Sequence, residues 1–218
     1  MLKPGLTQHC HISHKGDAYT FHNFRDFSRT REDSKQKQNW IEEIVHVKKI
    51  VSLDMYISPF MLHDLIGHTA VTFGFSDGKR LCLSVEAELQ ENEEYNIFKG
   101  FYPGYRIRYI RGTERDIMNL RVFRHEKVVR YPVHLSKEQI TQFFLDLVEE
   151  TNKAEKKTEK YQLLFNNCTS GLRNTARKHF AIKRWHYGLI LNAFLPKFLH
   201  TLWIVNEQEK EVFHKITK

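Results

Sequence analysis

The alternation of apolar and polar residues along the chain predicts a fold rich in β-strands. A Val- and Ile-rich run occupies Glu43–Ser58, a second β-type run occupies His68–Phe75, and a third follows at Arg80–Ala87. Asp77-Gly78 lies between the last two runs and predicts a hairpin, because this pair accepts positive φ at low cost. Two shorter alternating runs between residues 104 and 134 predict further strands of the same sheet.

Two segments carry the signals of helices. SKEQ at residues 136–139 fits a capping box, and apolar residues then recur at helical spacing over residues 140–148. The segment NNCTSGLRNTARKH places Cys168 at the start of a second helix, with Asn and Thr as polar caps. Strands and helices together predict an α+β fold, in which an antiparallel sheet packs against the helix that begins at Cys168.

The composition fits one folded domain with short appendages. The chain has 218 residues, of which 41% are hydrophobic and 13% aromatic, and these values exclude a disordered chain. We expect a flexible arm at residues 1–20, a domain at 21–205 and a charged tail at 206–218. The N-terminus lacks the apolar stretch of a signal peptide, so a cytoplasmic location stays open, and no apolar run is long enough for a spanning helix.

The net charge of +8, from 34 Lys and Arg against 26 acidic residues, suits an anionic partner such as phospholipid headgroups. The chain carries no motif typical of nucleic-acid binding, and we expect no nucleic-acid partner. The segment 185–205 is aromatic and basic. It can form a helix that touches a bilayer peripherally or a helix that covers the core.

Three widely spaced cysteines exclude a disulfide framework and a zinc knuckle. Cys82 lies between two leucines and is predicted to be a core thiol. The HCHxxH cluster at residues 9–14 has suitable ligand types, but no second cluster completes a closed site. We therefore expect no metal and no cofactor.

The remaining thiol, Cys168, is the candidate nucleophile. The dipole and free N–H groups at a helix start stabilise a thiolate, and the same N–H groups can hold the oxyanion formed when the thiolate attacks a carbonyl. The alternative is a buried structural cysteine at a helix cap, and position alone does not decide between them. Asn167 either shapes the turn before Cys168 or contributes its amide to the oxyanion site, and Thr169 supplies a polar cap.

His68, at the start of a predicted strand, is the candidate general base; the alternative is a strand-end histidine without a partner. If Asp77-Gly78 forms a two-residue turn, His68 faces Ala87, and a shift of one residue brings Glu86 across from it. Glu86 would then accept a hydrogen bond from the far ring nitrogen, with Ser84 as the second choice. The alternative for Glu86 is a charge that faces solvent.

Two arginines near the N-terminus, Arg25 and Arg29, are candidates for contact with an anion such as a lipid phosphate. The alternative is structural, with Asp26 pairing with an arginine to fasten this segment over the domain.

Several blocks carry a resemblance to a known family. They are, in chain order, NFRDFSRTREDS, GHTAVTFGFSDGKRLCLSVEAE, TERDIMNLR, YPVHLSKEQITQFFLDLVEETN and YQLLFNNCTSGL. In their order and spacing, over about residues 21–205, they resemble the Lnb N-terminal periplasmic domain family. The resemblance implies a circularly permuted papain-like fold, akin to NlpC-type hydrolases, in which the His strand precedes the Cys helix.

The founding Lnb proteins are lipoprotein N-acyltransferases, so the resemblance implies a fatty acyl chain taken from phospholipid through a Cys thioester and passed to a lipoprotein amine. The matching positions are His68, Glu86 and Cys168, and the implied location is periplasmic or membrane-associated. Two other functions stay open: a papain-like hydrolase of peptide, amide or ester bonds, and a non-catalytic relative that binds lipid or a partner.

Overall fold

Ten strands form one large sheet in the part of the chain that the structure describes. The computed structural model describes residues 2–3, 5–28, 38–61, 65–102, 104–156, 160–161, 168–177, 194–202 and 204–213. The strands are β1 (His11–Lys15), β2 (Ala18–Arg25), β3 (Trp40–His46), β4 (Ile50–Met61), β5 (Ile66–Phe75), β6 (Arg80–Ala87), β7 (Tyr105–Thr113), β8 (Val129–Pro132), β9 (Lys160–Tyr161) and β10 (Glu211–Val212). Their order is β1-β2-β7-β6-β5-β4-β8-β10, with β3 on β2 and β9 on β7.

Five α-helices accompany this sheet within the described ranges. They are α1 (Ile97–Phe101), α2 (Glu114–Phe123), α3 (Lys137–Lys156), α4 (Cys168–Ala176) and α5 (Leu195–Thr201). The predicted capping box is confirmed at α3, because Ser136 N donates to Gln139 Oε1 (2.9 Å) and Gln139 N donates to Ser136 Oγ (3.2 Å). A mixed α/β fold with a mostly antiparallel sheet is thus confirmed, whereas the permuted papain-like connectivity stays a prediction.

The predicted hairpin between β5 and β6 forms, but its loop is one residue longer than the expected two-residue turn. Phe75 and Lys79 close a loop of Ser76, Asp77 and Gly78, and Gly78 adopts the positive φ of 84°. In such three-residue loops a left-handed residue follows a tight turn, and glycine takes that position without steric cost. The extra residue shifts the strand register by one relative to the predicted pairing.

The two faces of the sheet carry different layers. On one face α3, α4 and α5 bury an apolar core that contains alternate residues of β5 and β6, such as Val71, Phe73 and Leu83. Phe144 of α3 lies at its centre, with its ring 5.1 Å from that of Phe73 in an edge-to-face arrangement. On the other face α2 packs over the intervening residues in a smaller apolar cluster, which includes Ala70.

The face under α2 is also rich in buried ion pairs. Arg80 donates to Asp54 (2.5 Å) and to Glu114 (2.6 Å), and the hydroxyl of Tyr56 donates to the same glutamate. Arg25 Nε donates to Asp116 Oδ2 over 2.6 Å. Since buried charges are tolerated only when they are paired and hydrogen-bonded, these contacts fix how α2 sits on the sheet.

Both chain ends differ from the predicted organisation. The flexible arm expected at residues 1–20 is wrong for its described part, because β1 and the start of β2 lie there and Leu6, Cys10 and Ile12 are buried. The sequence shows no alternation of apolar and polar residues at β1, because four of its five residues are exposed. In the tail expected at residues 206–218, β10 pairs with β8; residues 214–218 lie outside the described part.

The two-layer core gives a direct test of the fold. Phe144→Ala should lower the free energy of unfolding by about 3–5 kcal/mol, because it leaves a cavity among the aromatic rings under α3. Phe98→Ala is the matched control, since Phe98 is 76% exposed and its loss should change the free energy of unfolding by no more than about 0.5 kcal/mol. Equal effects of the two changes in urea unfolding would contradict the position of α3.

Candidate active site

His68 lies inside the sheet, on the central strand β5, and is 7% exposed. Its pairing partner on β4 is Ser58, and the β5–β6 register, continued beyond its last pair Ala70–Ser84, sets Glu86 across from His68. The longer loop therefore corrects the predicted pairing with Ala87, and it puts three polar residues on one face of neighbouring strands.

The ring of His68 contacts both predicted partners through the same nitrogen. Nε2 lies 2.7 Å from Ser84 Oγ and 3.5 Å from Glu86 Oε1, and Ser84 Oγ donates to Glu86 Oε1 over 2.8 Å. Ser84, named second from the sequence, is thus the closer partner. Glu86 is linked to His68 mainly through the hydroxyl group of Ser84. These contacts do not fit the alternative prediction that Glu86 is a charge facing solvent.

Glu86 is held in its charged form by arginine. Arg121 Nη2 donates to Glu86 Oε1 over 2.5 Å from a side chain that is 6% exposed. Burial alone raises the pKa of Glu86, but the charges of Arg121 and Arg124 help to outweigh it and hold the pKa below the usual range of a carboxyl group.

The hydrogen bonds assign a tautomer to His68. A charged Glu86 can only accept, so the Ser84 hydroxyl proton points to it, and Ser84 can then only accept from His68. The proton of the neutral ring therefore lies on Nε2, and Nδ1 carries the lone pair. Burial, and next the charge of Arg121, lower the pKa of His68 to about 3 against the opposing effect of Glu86, so the ring is neutral near pH 7. This arrangement suits a general base that accepts a proton at Nδ1.

Cys168 is the first residue of α4, as predicted from the polar residues around it. Leu172 and Ala176, one and two turns later, are buried in the core beneath α3, and α4 packs against β5 and β6. The ring of His68 is directed to the opposite face, under α2. The Cys168 thiol and the side chain of Thr169 lie outside the described side chains, and Asn167 lies outside the described residues.

The other two cysteines do not fit a nucleophile. Cys10 is 4% exposed and Cys82 is fully buried, so the prediction of Cys82 as a core thiol is confirmed. Burial raises the pKa of the Cys82 thiol far above its ordinary value, which disfavours the reactive thiolate. Among the described cysteine side chains, neither is placed for nucleophilic chemistry.

Arg25 has a structural role rather than the predicted contact with an anion. It is 5% exposed, donates to Asp116 on α2 and lies over the ring of Phe27. Asp26 accepts hydrogen bonds from Thr113 and Arg115, as expected for fastening. The other candidate, Arg29, lies outside the described residues.

Two further sequence features can be placed in part. In the segment 185–205, the described helix α5 buries Leu195 and Leu199 in the main core, which favours the core-covering interpretation for that part. Residues 185–193 lie outside the described ranges.

In the cluster at residues 9–14, His9 accepts a hydrogen bond from Arg108 and the ring of His11 stacks on that of His22. No group of three or more His, Cys, Asp or Glu able to hold a metal occurs among the described residues.

Comparison with known proteins identifies the family. Residues 36–195 match the family model described as the Lnb N-terminal periplasmic domain. The chain belongs to this family. No curated protein and no solved structure matches it significantly. The match spans His68, Glu86 and Cys168 and begins after Arg25, and the family description is that of a periplasmic domain.

Of the helices in the described ranges, none combines the length and apolar character needed to span a bilayer.

The structure of the Lnb domain adds three polar residues to the site that sequence reasoning missed. Arg121 lies in the last turn of α2 and Glu126 in the segment after it, and Ser58 donates to Glu126 Oε2 over 2.5 Å. Arg121 lies in the block TERDIMNLR, which carried the resemblance to the family, so the block offered a signal. Only the tertiary packing of α2 shows that this block meets His68.

Burial of a neutral histidine makes the stability of the Lnb domain depend on pH. Between the ordinary pKa of 6.5 and the folded value of about 3, the unfolded chain binds a proton at His68 that the folded chain does not. The free energy of unfolding should therefore fall on acidification through this window, by at most about 1.4 kcal/mol per pH unit from this residue. His68→Gln should remove this part of the slope, measured by urea unfolding at several pH values.

The exposed histidine variant His134→Gln controls for the general effect of removing an imidazole. A pH dependence of the unfolding free energy that is the same in wild type and His68→Gln would contradict a buried, neutral His68.

Proposed function

We propose that this Lnb domain is a thiol-dependent acyltransferase, which takes a fatty acyl chain from phospholipid onto Cys168 and passes it to an amine such as a lipoprotein N-terminus. The observation that carries the proposal is the family match over residues 36–195, which includes both Cys168 and the buried His68–Ser84–Glu86 relay. The proposed fold is the permuted papain-like arrangement, in which the His strand precedes the Cys helix.

The proposed reaction has two steps. His68 Nδ1 takes the thiol proton, the sulfur of Cys168 attacks the ester carbonyl, and the lysophospholipid leaves as an alcohol with the proton returned by His68. The amine then attacks the thioester, loses a proton to His68, and releases the thiol as the amide forms. Backbone N–H groups at the start of α4 stabilise the oxyanion in both steps.

The proposal requires Cys168 and His68 to meet, although α4 and α2 lie on opposite faces of the sheet. The pairing between β5 and β6 ends at Ala70–Ser84, so the two strands are no longer paired where His68 lies. We propose that the Cys168 thiol reaches Nδ1 of His68 at the point where this pairing ends. A phospholipid donor would enter from the α4 face, and contact through residues 185–205 remains a prediction.

A test is intact-mass analysis after incubation with vesicles of phosphatidylethanolamine and phosphatidylglycerol. Wild type should gain the mass of one fatty acyl group, lost on treatment with neutral hydroxylamine, which cleaves thioesters. Cys168→Ala should show no adduct and His68→Gln should slow its formation by at least about 100-fold, the usual contribution of a general base.

Cys82→Ala is the matched control, because it removes a buried thiol on the opposite face and should leave the adduct intact. Adding a synthetic diacylated lipopeptide with a free amine should discharge the adduct to an amide, whereas discharge to free fatty acid without it would identify a hydrolase. A folded wild type that forms no adduct would refute the proposal.

The second candidate is a non-catalytic relative that binds lipid or a protein partner. One observation favours it: His68 is nearly fully buried, and its hydrogen-bonded nitrogen faces the ion pairs under α2 rather than α4. In this case the relay is a structural link between α2 and the sheet. Vesicle flotation of the Cys168→Ala variant at wild-type levels, without any adduct on wild type, would favour this candidate.

A further inference from the structure

Arg121 joins the polar groups on both sides of His68. Its Nη2 donates to Glu86 on β6 over 2.5 Å, and its Nη1 lies 3.6 Å from Glu126 Oε1, whose other oxygen accepts from Ser58 on β4. His68 lies on β5, between these two strands. One guanidinium therefore reaches the neighbours of His68 on both adjacent strands.

We propose that Arg121 is a positioning residue that fixes the protonation pattern of His68 through Glu86 and Ser84. Its catalytic consequence rests on the acyltransfer function proposed above, whereas the effect on His68 itself does not. Removal of Arg121 should free the Glu86 carboxylate to turn away from Ser84. The serine proton can then point to His68 Nε2, which moves the ring proton to Nδ1, the atom needed as base.

A general structural role alone does not account for this geometry. If Glu86 served only to anchor α2 to β6, it would need its arginine partner but no contact with Ser84 or His68. Glu86 instead accepts from Arg121 and Ser84 through the same oxygen, Oε1, which is also the oxygen 3.5 Å from His68 Nε2. The guanidinium thus sets the position of the one oxygen atom that orients Ser84.

The charged groups around the ring support the same conclusion. Glu86 faces it from β6, and Arg121, Arg124 and Glu126 face it from α2 and the segment that follows. Arg121 lowers the pKa of His68 and Glu86 raises it. Loss of Arg121 removes a charge that lowers the pKa of His68, so this pKa should rise.

The test is ¹⁵N NMR of histidine-labelled protein, with His68 assigned by its loss in His68→Gln. Wild type should show a protonated Nε2 and an unprotonated Nδ1. Arg121→Met should raise the pKa of His68 by roughly one unit or more and populate the Nδ1–H form. Arg121→Lys keeps the charge and should retain most of the wild-type signal, which also covers the case in which Arg121→Met does not fold.

Arg115→Met is the matched control, because Arg115 lies on the same helix but pairs with Asp26. It should leave the tautomer, the pKa of His68 and the adduct rate unchanged. In the acyl-adduct assay, Arg121→Met should slow adduct formation by about tenfold or more, since the wrong tautomer cannot accept the thiol proton. Arg121→Lys should restore part of that rate.

The two proposals fail separately. A wild type without adduct formation refutes the acyltransferase, and the NMR comparison still decides the role of Arg121. An unchanged tautomer and pKa of His68 in folded Arg121→Met, or a shift of equal size in Arg115→Met, would overturn the inference about Arg121.

Discussion

The register between β5 and β6 is the constraint on which the candidate site depends. Side chains alternate between the faces of a strand, so a slip of one residue would move Ser84 and Glu86 into the apolar core and away from His68. The register is set by the three-residue loop that ends at Gly78, whose positive φ suits glycine. A local property of one turn therefore decides which residues can act together at the other end of the hairpin.

The same register separates two kinds of packing. Phe73 and Phe75 of β5 pack against α3 in a mainly apolar core, whereas the face under α2 carries buried arginines and carboxylates. The hydrophobic effect stabilises a packed helix without depending on direction, whereas paired buried charges must meet with good geometry or become destabilising. We infer that α3 and α4 supply most of the stability of the domain, and that the ionic layer specifies how α2 lies over His68.

This division explains which features the sequence predicts. The hairpin strands, the capping box at Ser136 and the start of α4 follow from local patterns, and each is present in the structure. The strand β1 was missed because its residues are mostly exposed, and it is held by pairing with β2 rather than by its own apolar periodicity. The link from Arg121 to His68 joins segments 53 positions apart, and only the packing of α2 brings them together. No local pattern encodes such a contact.

The surroundings of His68 also determine which of its two ring nitrogens a reacting group could approach. A histidine that serves as base must be neutral, and here burial keeps the ring neutral, while Arg121 and Glu126 occupy the α2 face beside it. The nitrogen directed to that face is already bound to Ser84, so it cannot exchange a proton with a substrate without breaking the relay. In the proposed reaction the reacting group would therefore approach Nδ1, near the point where the pairing between β5 and β6 ends. The start of α4 packs against the same two strands and brings Cys168, which lies within the family match, to this part of the sheet.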